Sequence, residues 1–192
     1  MDLLHPDLQA FLVSTGLVAI AEIGDKTQLL AMLLAARFRK PAPIIAGIFV
    51  ATIANHSLAA LVGKLAGNFL NGPWFHWVLG IAFLAFAAWA LIPDKMDEDE
   101  SPKSVGGVFI TTVVAFFLVE MGDKTQVATI ALAARFHEVL WVAAGTTVGM
   151  MLANVPAVFL SQAAATRLPL KYIRWAAAAS FAAIGLWVLV AG

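Results

Sequence analysis

Residues 22–38, EIGDKTQLLAMLLAARF, and residues 120–136, EMGDKTQVATIALAARF, are one segment written twice, 98 positions apart, with 11 identities in 17. The same offset pairs Gly47 with Gly145, Trp77 with Trp175, Phe83 with Phe181 and Trp89 with Trp187, so the repeat runs through the whole chain. Any fold for this sequence has to hold two copies of one unit. It must also find a place, twice, for Glu, Asp, Lys, Thr and Gln inside a stretch that is otherwise apolar. The surroundings make that demand severe. Hydrophobic residues make up 61% of the 192 and charged ones 12%, whereas soluble domains carry roughly a quarter charged residues.

This composition predicts an all-α integral membrane protein. At about 20 to 25 residues per crossing there is room for six transmembrane helices, which punctuation by Gly, Pro and charge places near 9–36, 42–65, 74–92, 106–135, 139–164 and 170–190. Residues 1–92 form a first three-helix repeat, 93–105 an acidic linker containing MDEDE, and 106–192 a second three-helix repeat. Three is odd, so the second copy enters the membrane from the opposite side and the repeats are inverted, an arrangement that lets two similar halves exchange outward-open and inward-open shapes.

Lysine and arginine set the orientation. The side facing the first, third and fifth connections carries Arg37, Arg39, Lys40, Lys95, Lys103, Arg167, Lys171 and Arg174, and the other side only Lys64 and Arg135. The asymmetry puts both termini outside and the linker in the cytoplasm. The N-terminal MDLLHPDLQ has no basic region ahead of the first apolar run, so no removable signal peptide is expected. Zero net charge and the lack of a basic run exclude a nucleic-acid partner, and the lack of cysteine excludes disulfides and thiolate sites. Membrane lipid is the implied surrounding.

Glu22, Asp25, Lys26, Glu120, Asp123 and Lys124 fall within predicted spans, where each would cost roughly 2.5 to 3.5 kcal/mol at a lipid-facing helix centre. They must face inward. On a continuous helix Glu22 and Asp25 share a face at i,i+3, as do Glu120 and Asp123, so four carboxylates converge if the motif helices face one another. Four acids and two lysines leave a charge of −2, matching one divalent cation or two protons. Gly24 and Gly122 permit a local break that exposes backbone carbonyls, and Thr27, Thr125, Gln28 and Gln126 add neutral oxygens. An oxygen-only set suits Ca²⁺, Mn²⁺ or Mg²⁺. Lys26 and Lys124 tune the charge.

EIGDKT and EMGDKT resemble the twice-repeated Glu-x-Gly-Asp-(Lys/Arg)-(Thr/Ser) signature of the family that includes Golgi calcium/manganese transporters of eukaryotes and manganese exporters of bacteria. The resemblance implies divalent cation transport in exchange for protons, with Glu22, Asp25, Glu120 and Asp123 as ion-binding acids and Thr27 and Thr125 as their hydroxyl neighbours. The short chain looks like the bacterial branch, which implies Mn²⁺ export across the cytoplasmic membrane ahead of Ca²⁺ transport. No enzymatic activity and no cofactor beyond the transported ion are implied. Outside the motif, Asn55, His56 and Asn154 are candidates for a supporting shell or proton path, and Trp77, Trp141, Trp175 and Trp187 for interfacial anchors. Two other readings are a passive divalent cation channel and, more remotely, a membrane-embedded aspartyl protease. The protease reading lacks its first glycine, since Glu22 and Glu120 stand there, and Tyr172, the only tyrosine, is near neither motif.

Overall fold

The computed structural model describes residues 5–69, 72, 74–92, 106–160 and 170–191. Among these there are eight helices and no strand: α1 (Pro6–Glu22), α2 (Lys26–Phe38), α3 (Pro41–Phe69), α4 (Phe75–Ala90), α5 (Val108–Glu120), α6 (Lys124–Phe136), α7 (Leu140–Phe159) and α8 (Leu170–Ala191). The acidic linker 93–105, with Lys95 and Lys103, and Arg167 lie outside the described residues. The chain is a multi-pass membrane protein. α3, α7 and α8 are long and apolar enough to cross a bilayer, α1 and α2 qualify together as one bent span, and α4 and α5 are shorter apolar helices.

The structure corrects one expectation. The continuous helices predicted over 9–36 and 106–135 are each two helices, and α2 leaves α1 at 67°. The cause is local. After Glu22, Ile23 turns extended, Gly24 takes φ 85° and Asp25 opens α2 from an extended N-cap position. Met121, Gly122 at φ 81° and Asp123 repeat this path. A positive φ of this kind carries a steric cost for any side chain with a Cβ. Because the helix stops at the glutamate, the i,i+3 argument that put Glu22 and Asp25 on one helical face fails.

Each break is braced by a glutamine. The Gly24 N–H donates to Gln28 Oε1 at 2.9 Å and the Gly122 N–H to Gln126 Oε1 at 2.7 Å, so the broken ladder does not leave these amides bare. Both motif helices then end alike. Arg39 and His137, in left-handed conformation, return their N–H groups to Ala35 and Ala133, each at 2.9 Å.

Packing also follows the offset. α1 lies chiefly on α7 and α5 on α3, α2 packs on α7 and α6 on α3, and α4 packs on α8. Small residues set these approaches. A Cβ at Gly47 would meet Phe109 and Thr112, and one at Gly145 would meet Phe11 and Ser14, which are the same partners shifted by one repeat. Gly63 and Gly67 let α3 approach α6, and Gly145 and Gly149 let α7 approach α1. Both pairs are Gly-x-x-x-Gly, the spacing that allows close helix contact in lipid. The aromatic anchors divide. Trp77, Trp141 and Trp175 are exposed, while Trp187 packs against the core and carries the Arg135 guanidinium 5.0 Å from its ring.

Candidate functional site

The two breaks bring the ends of α1 and α5 together in the interior. Glu22 and Glu120 are the last residues of these helices and both are buried. Helix C-termini present partial negative charge, so the position itself favours a cation. Glu22, Glu120 and Asp123 each offer a carboxylate oxygen, and these oxygens all lie within 4.8 Å of one another. One carboxylate comes from the first repeat and two from the second.

Each glutamate is held by one oxygen and bare at the other. Thr27 Oγ1 donates to Glu22 Oε2 at 2.5 Å and Thr125 Oγ1 to Glu120 Oε1 at 2.6 Å. Glu22 Oε1, Glu120 Oε2 and Asp123 Oδ2 are buried with no hydrogen-bond partner. Buried polar atoms are nearly always satisfied, and a bare carboxylate oxygen away from water is among the costliest exceptions. The three carboxylates gather buried negative charge at one point, where a cation would offset it. Lys26, at the start of α2, supplies part of that offset, with Nζ 3.7 Å from Asp123 Oδ1.

The fourth predicted acid is placed differently. Asp25 is buried but stands outside the three-carboxylate cluster, and with Lys124 and Arg174 it lines a small cavity beside the ends of α1 and α4. Lys124 Nζ donates to the Ile92 carbonyl at 3.2 Å. The two halves, alike in sequence, are therefore caught unlike in arrangement, with Asp123 at the cluster and its counterpart Asp25 at the cavity.

The remaining predicted residues take supporting places. Thr27 and Thr125 point their hydroxyl protons at the glutamates. Gln28 bridges Gly24 to the Ala153 carbonyl, its Nε2 donating at 3.1 Å, and Gln126 Nε2 donates to Asn55 Oδ1 at 2.5 Å. Asn55 in turn donates to the Phe117 carbonyl at 3.2 Å, so the side chain of Asn55 serves in one half where the Ala153 backbone serves in the other. Asn154 donates to the carbonyl and sulfur of Met150 and keeps Oδ1 unpartnered. His56, fully buried on α3, has Nε2 3.3 Å from Glu120 Oε1. Sequence reasoning missed the glutamine braces. Their signal is a glutamine four residues after a glycine that a helix cannot absorb.

A family model described as "Divalent cation/proton antiporter GDT1" matches residues 10–98 and 108–192. A Vibrio cholerae protein named "Putative manganese exporter" is 51% identical over 91% of this chain and 87% of its own length. GDT1-like protein 5 of Arabidopsis thaliana is 26% identical over 95% of this chain and 96% of its own, and a GDT1-like protein of Synechocystis is 28% identical over 86% and 89%. No solved structure matches the chain.

Proposed function

The chain belongs to the GDT1 family of divalent cation/proton antiporters, a family of transporters and not of enzymes, and from that premise we propose that it exports Mn²⁺ in exchange for protons through the carboxylate cluster of Glu22, Glu120 and Asp123. The observation that carries this reading is the set of three buried carboxylates from both repeats, each with an unpartnered oxygen. The name of the Vibrio cholerae relative supports Mn²⁺ over Ca²⁺ as cargo.

In this reading protons and metal compete for the same oxygens, so binding Mn²⁺ releases protons and the emptied site returns across the membrane protonated. The asymmetry of the two halves supplies the motion. In the opposite state Asp25 joins the glutamates and Asp123 withdraws, which makes all four acids ligands over a full cycle although only three gather at once. Thr27 and Thr125 orient the glutamates, and Gln28 and Gln126 keep the breaks intact as the helices move. Lys124 stands beside Asp25, the aspartate outside the cluster, and Lys26 offsets part of the charge at Asp123.

Proteoliposomes with an imposed pH gradient test the reading. Mn²⁺ should accumulate against its own gradient in the acidic compartment, as protons leave it in exchange, and apparent Mn²⁺ affinity should rise between about pH 5.5 and 8 as proton competition falls. Downhill flux that ignores the pH gradient would identify a passive channel instead.

Membrane placement is part of the same proposal. Six crossings, namely α1 with α2, α3, α4, α5 with α6, α7 and α8, form two inverted three-helix repeats in the bacterial cytoplasmic membrane, with both termini outside. Since the chain has no cysteine, single cysteines at the exposed positions Lys40 and Asn68 report the orientation. In intact cells an impermeant thiol reagent should label Asn68→Cys and spare Lys40→Cys; the reverse would overturn this orientation.

A further inference from the structure

The site faces a residue that its oxygen chemistry does not use. His56 is fully buried on α3, its Nε2 lies 3.3 Å from Glu120 Oε1, and its Nδ1 has no hydrogen-bond partner. The other three histidines of the chain, His5, His76 and His137, are at least partly exposed. The repeat offset places Asn154 opposite His56, so the two halves agree on the acids and differ at this position.

We propose that His56 is a nitrogen ligand of the transported ion and determines its class, selecting first-row transition cations such as Mn²⁺ over Ca²⁺ and Mg²⁺. The inference rests on the reading of Glu22, Glu120 and Asp123 as the ion site. Neighbouring ligands of a six-coordinate ion stand about 3 Å apart, given metal–oxygen distances of roughly 2.0 to 2.5 Å. The spacing from His56 Nε2 to Glu120 Oε1 fits two such neighbours, while His56 stands outside the three carboxylates whose oxygens gather within 4.8 Å, so the ring has to move to reach an ion held there. No hydrogen bond at Nδ1 fixes the ring, so a small rotation of the side chain can turn Nε2 from the carboxylate to an ion.

Chemistry then separates the cations. Ca²⁺ and Mg²⁺ are held by oxygen, and Ca²⁺ takes six to eight such ligands, whereas imidazole is a donor to transition metals, strongest toward Zn²⁺, Cu²⁺, Fe²⁺ and Ni²⁺ and weaker toward Mn²⁺, which also accepts carboxylate oxygen. A cluster of three carboxylates alone would admit both classes. Replacing one oxygen position by a neutral nitrogen weakens the hard ions and keeps the charge balance: three carboxylates and Lys26 sum to −2, the charge that one divalent cation cancels.

The test is spectroscopic first. Purified protein loaded with Mn²⁺ should show electron spin echo modulation from a directly bound imidazole ¹⁴N, and this signal should vanish in His56→Asn, which copies the residue found at position 154. In proteoliposomes the Mn²⁺/Ca²⁺ transport ratio of the same variant should fall at least about tenfold. Bound Mn²⁺ without ¹⁴N coupling in the unaltered protein overturns the proposal and leaves the carboxylate site standing. Absence of stoichiometric Mn²⁺ binding defeats the carboxylate site itself. Coupling that persists in His56→Asn, or an equal fall for both ions, also overturns the assignment of His56.

Discussion

Glu22→Gln and Glu120→Gln, made separately, should each lower Mn²⁺ flux at least about 100-fold while leaving the protein folded in the membrane. Breaking one member of a buried, compensated charge group costs about 3 to 5 kcal/mol, and every 1.4 kcal/mol is a factor of ten in binding. Glutamine is nearly isosteric and its amide oxygen can still accept from Thr27 or Thr125, so the threonine contacts at 2.5 and 2.6 Å survive. What disappears is one unit of negative charge in a cluster that needs two in excess. A second readout separates lost binding from lost folding. Saturating Mn²⁺ should raise the thermal unfolding midpoint of the unaltered protein by linkage, by the equivalent of about 2.7 kcal/mol at a hundred times Kd. In either variant the metal-free midpoint should be unchanged or higher, because carboxylate repulsion is relieved, and the Mn²⁺-induced rise should be gone. Near-normal flux from one of the two would show that a single half holds the ion.

Among the glycines at the close helix contacts, Gly63→Ala should be the most damaging substitution. A Cβ there would collide with the Ile130 carbonyl and the Ala133 side chain across the α3–α6 contact. The obstacle is helical backbone, which cannot swing aside as a flexible side chain can. A cost at the upper end of overpacking, at least about 3 kcal/mol, follows, read as a large fall in folded yield and unfolding midpoint. Gly16→Ala is the control. Nothing lies within 4 Å of the added methyl on α1, and alanine is the better helix former by up to about 1 kcal/mol, so that variant should be neutral or slightly more stable. Equal damage from both would mean that general helix tolerance, and not the close α3–α6 approach, decides stability.

How far the sequence could be read depended on whether a property was local. Membrane residence, the helical class and the repeat were legible from composition and the 98-residue offset, because apolar runs and duplicated letters need no knowledge of contacts. The acids were legible because charge inside a membrane demands a reason. The shape of the site was less so. Treating 22–25 as helix put Asp25 beside Glu22, while the backbone turn at Gly24 separates them and sends Asp25 to the cavity it shares with Lys124 and Arg174. The glycine marked a break without giving its direction. The approach of His56 to Glu120 depends on how α3 packs against α5, a pairing across 64 residues that periodicity does not encode. Nor did the glutamines declare their role, since a polar residue in a membrane helix can ligate an ion, join two helices or brace its own backbone.

The exchange of partners between halves, α1 lying chiefly on α7 and α5 on α3, has a consequence for how the chain is made. At synthesis rates of about 5 to 20 residues per second, roughly 7 to 27 seconds separate the emergence of Glu22 from that of the end of α7. For that interval α1 carries its carboxylate without the surface that will cover it, and no helix of the first half supplies a substitute. The nascent chain therefore has to wait at the insertion machinery, or among provisional neighbours, until its second half arrives. A message cut short before residue 140 yields a product that cannot bury its own charge, and this gives membrane quality control a clear criterion for discarding it.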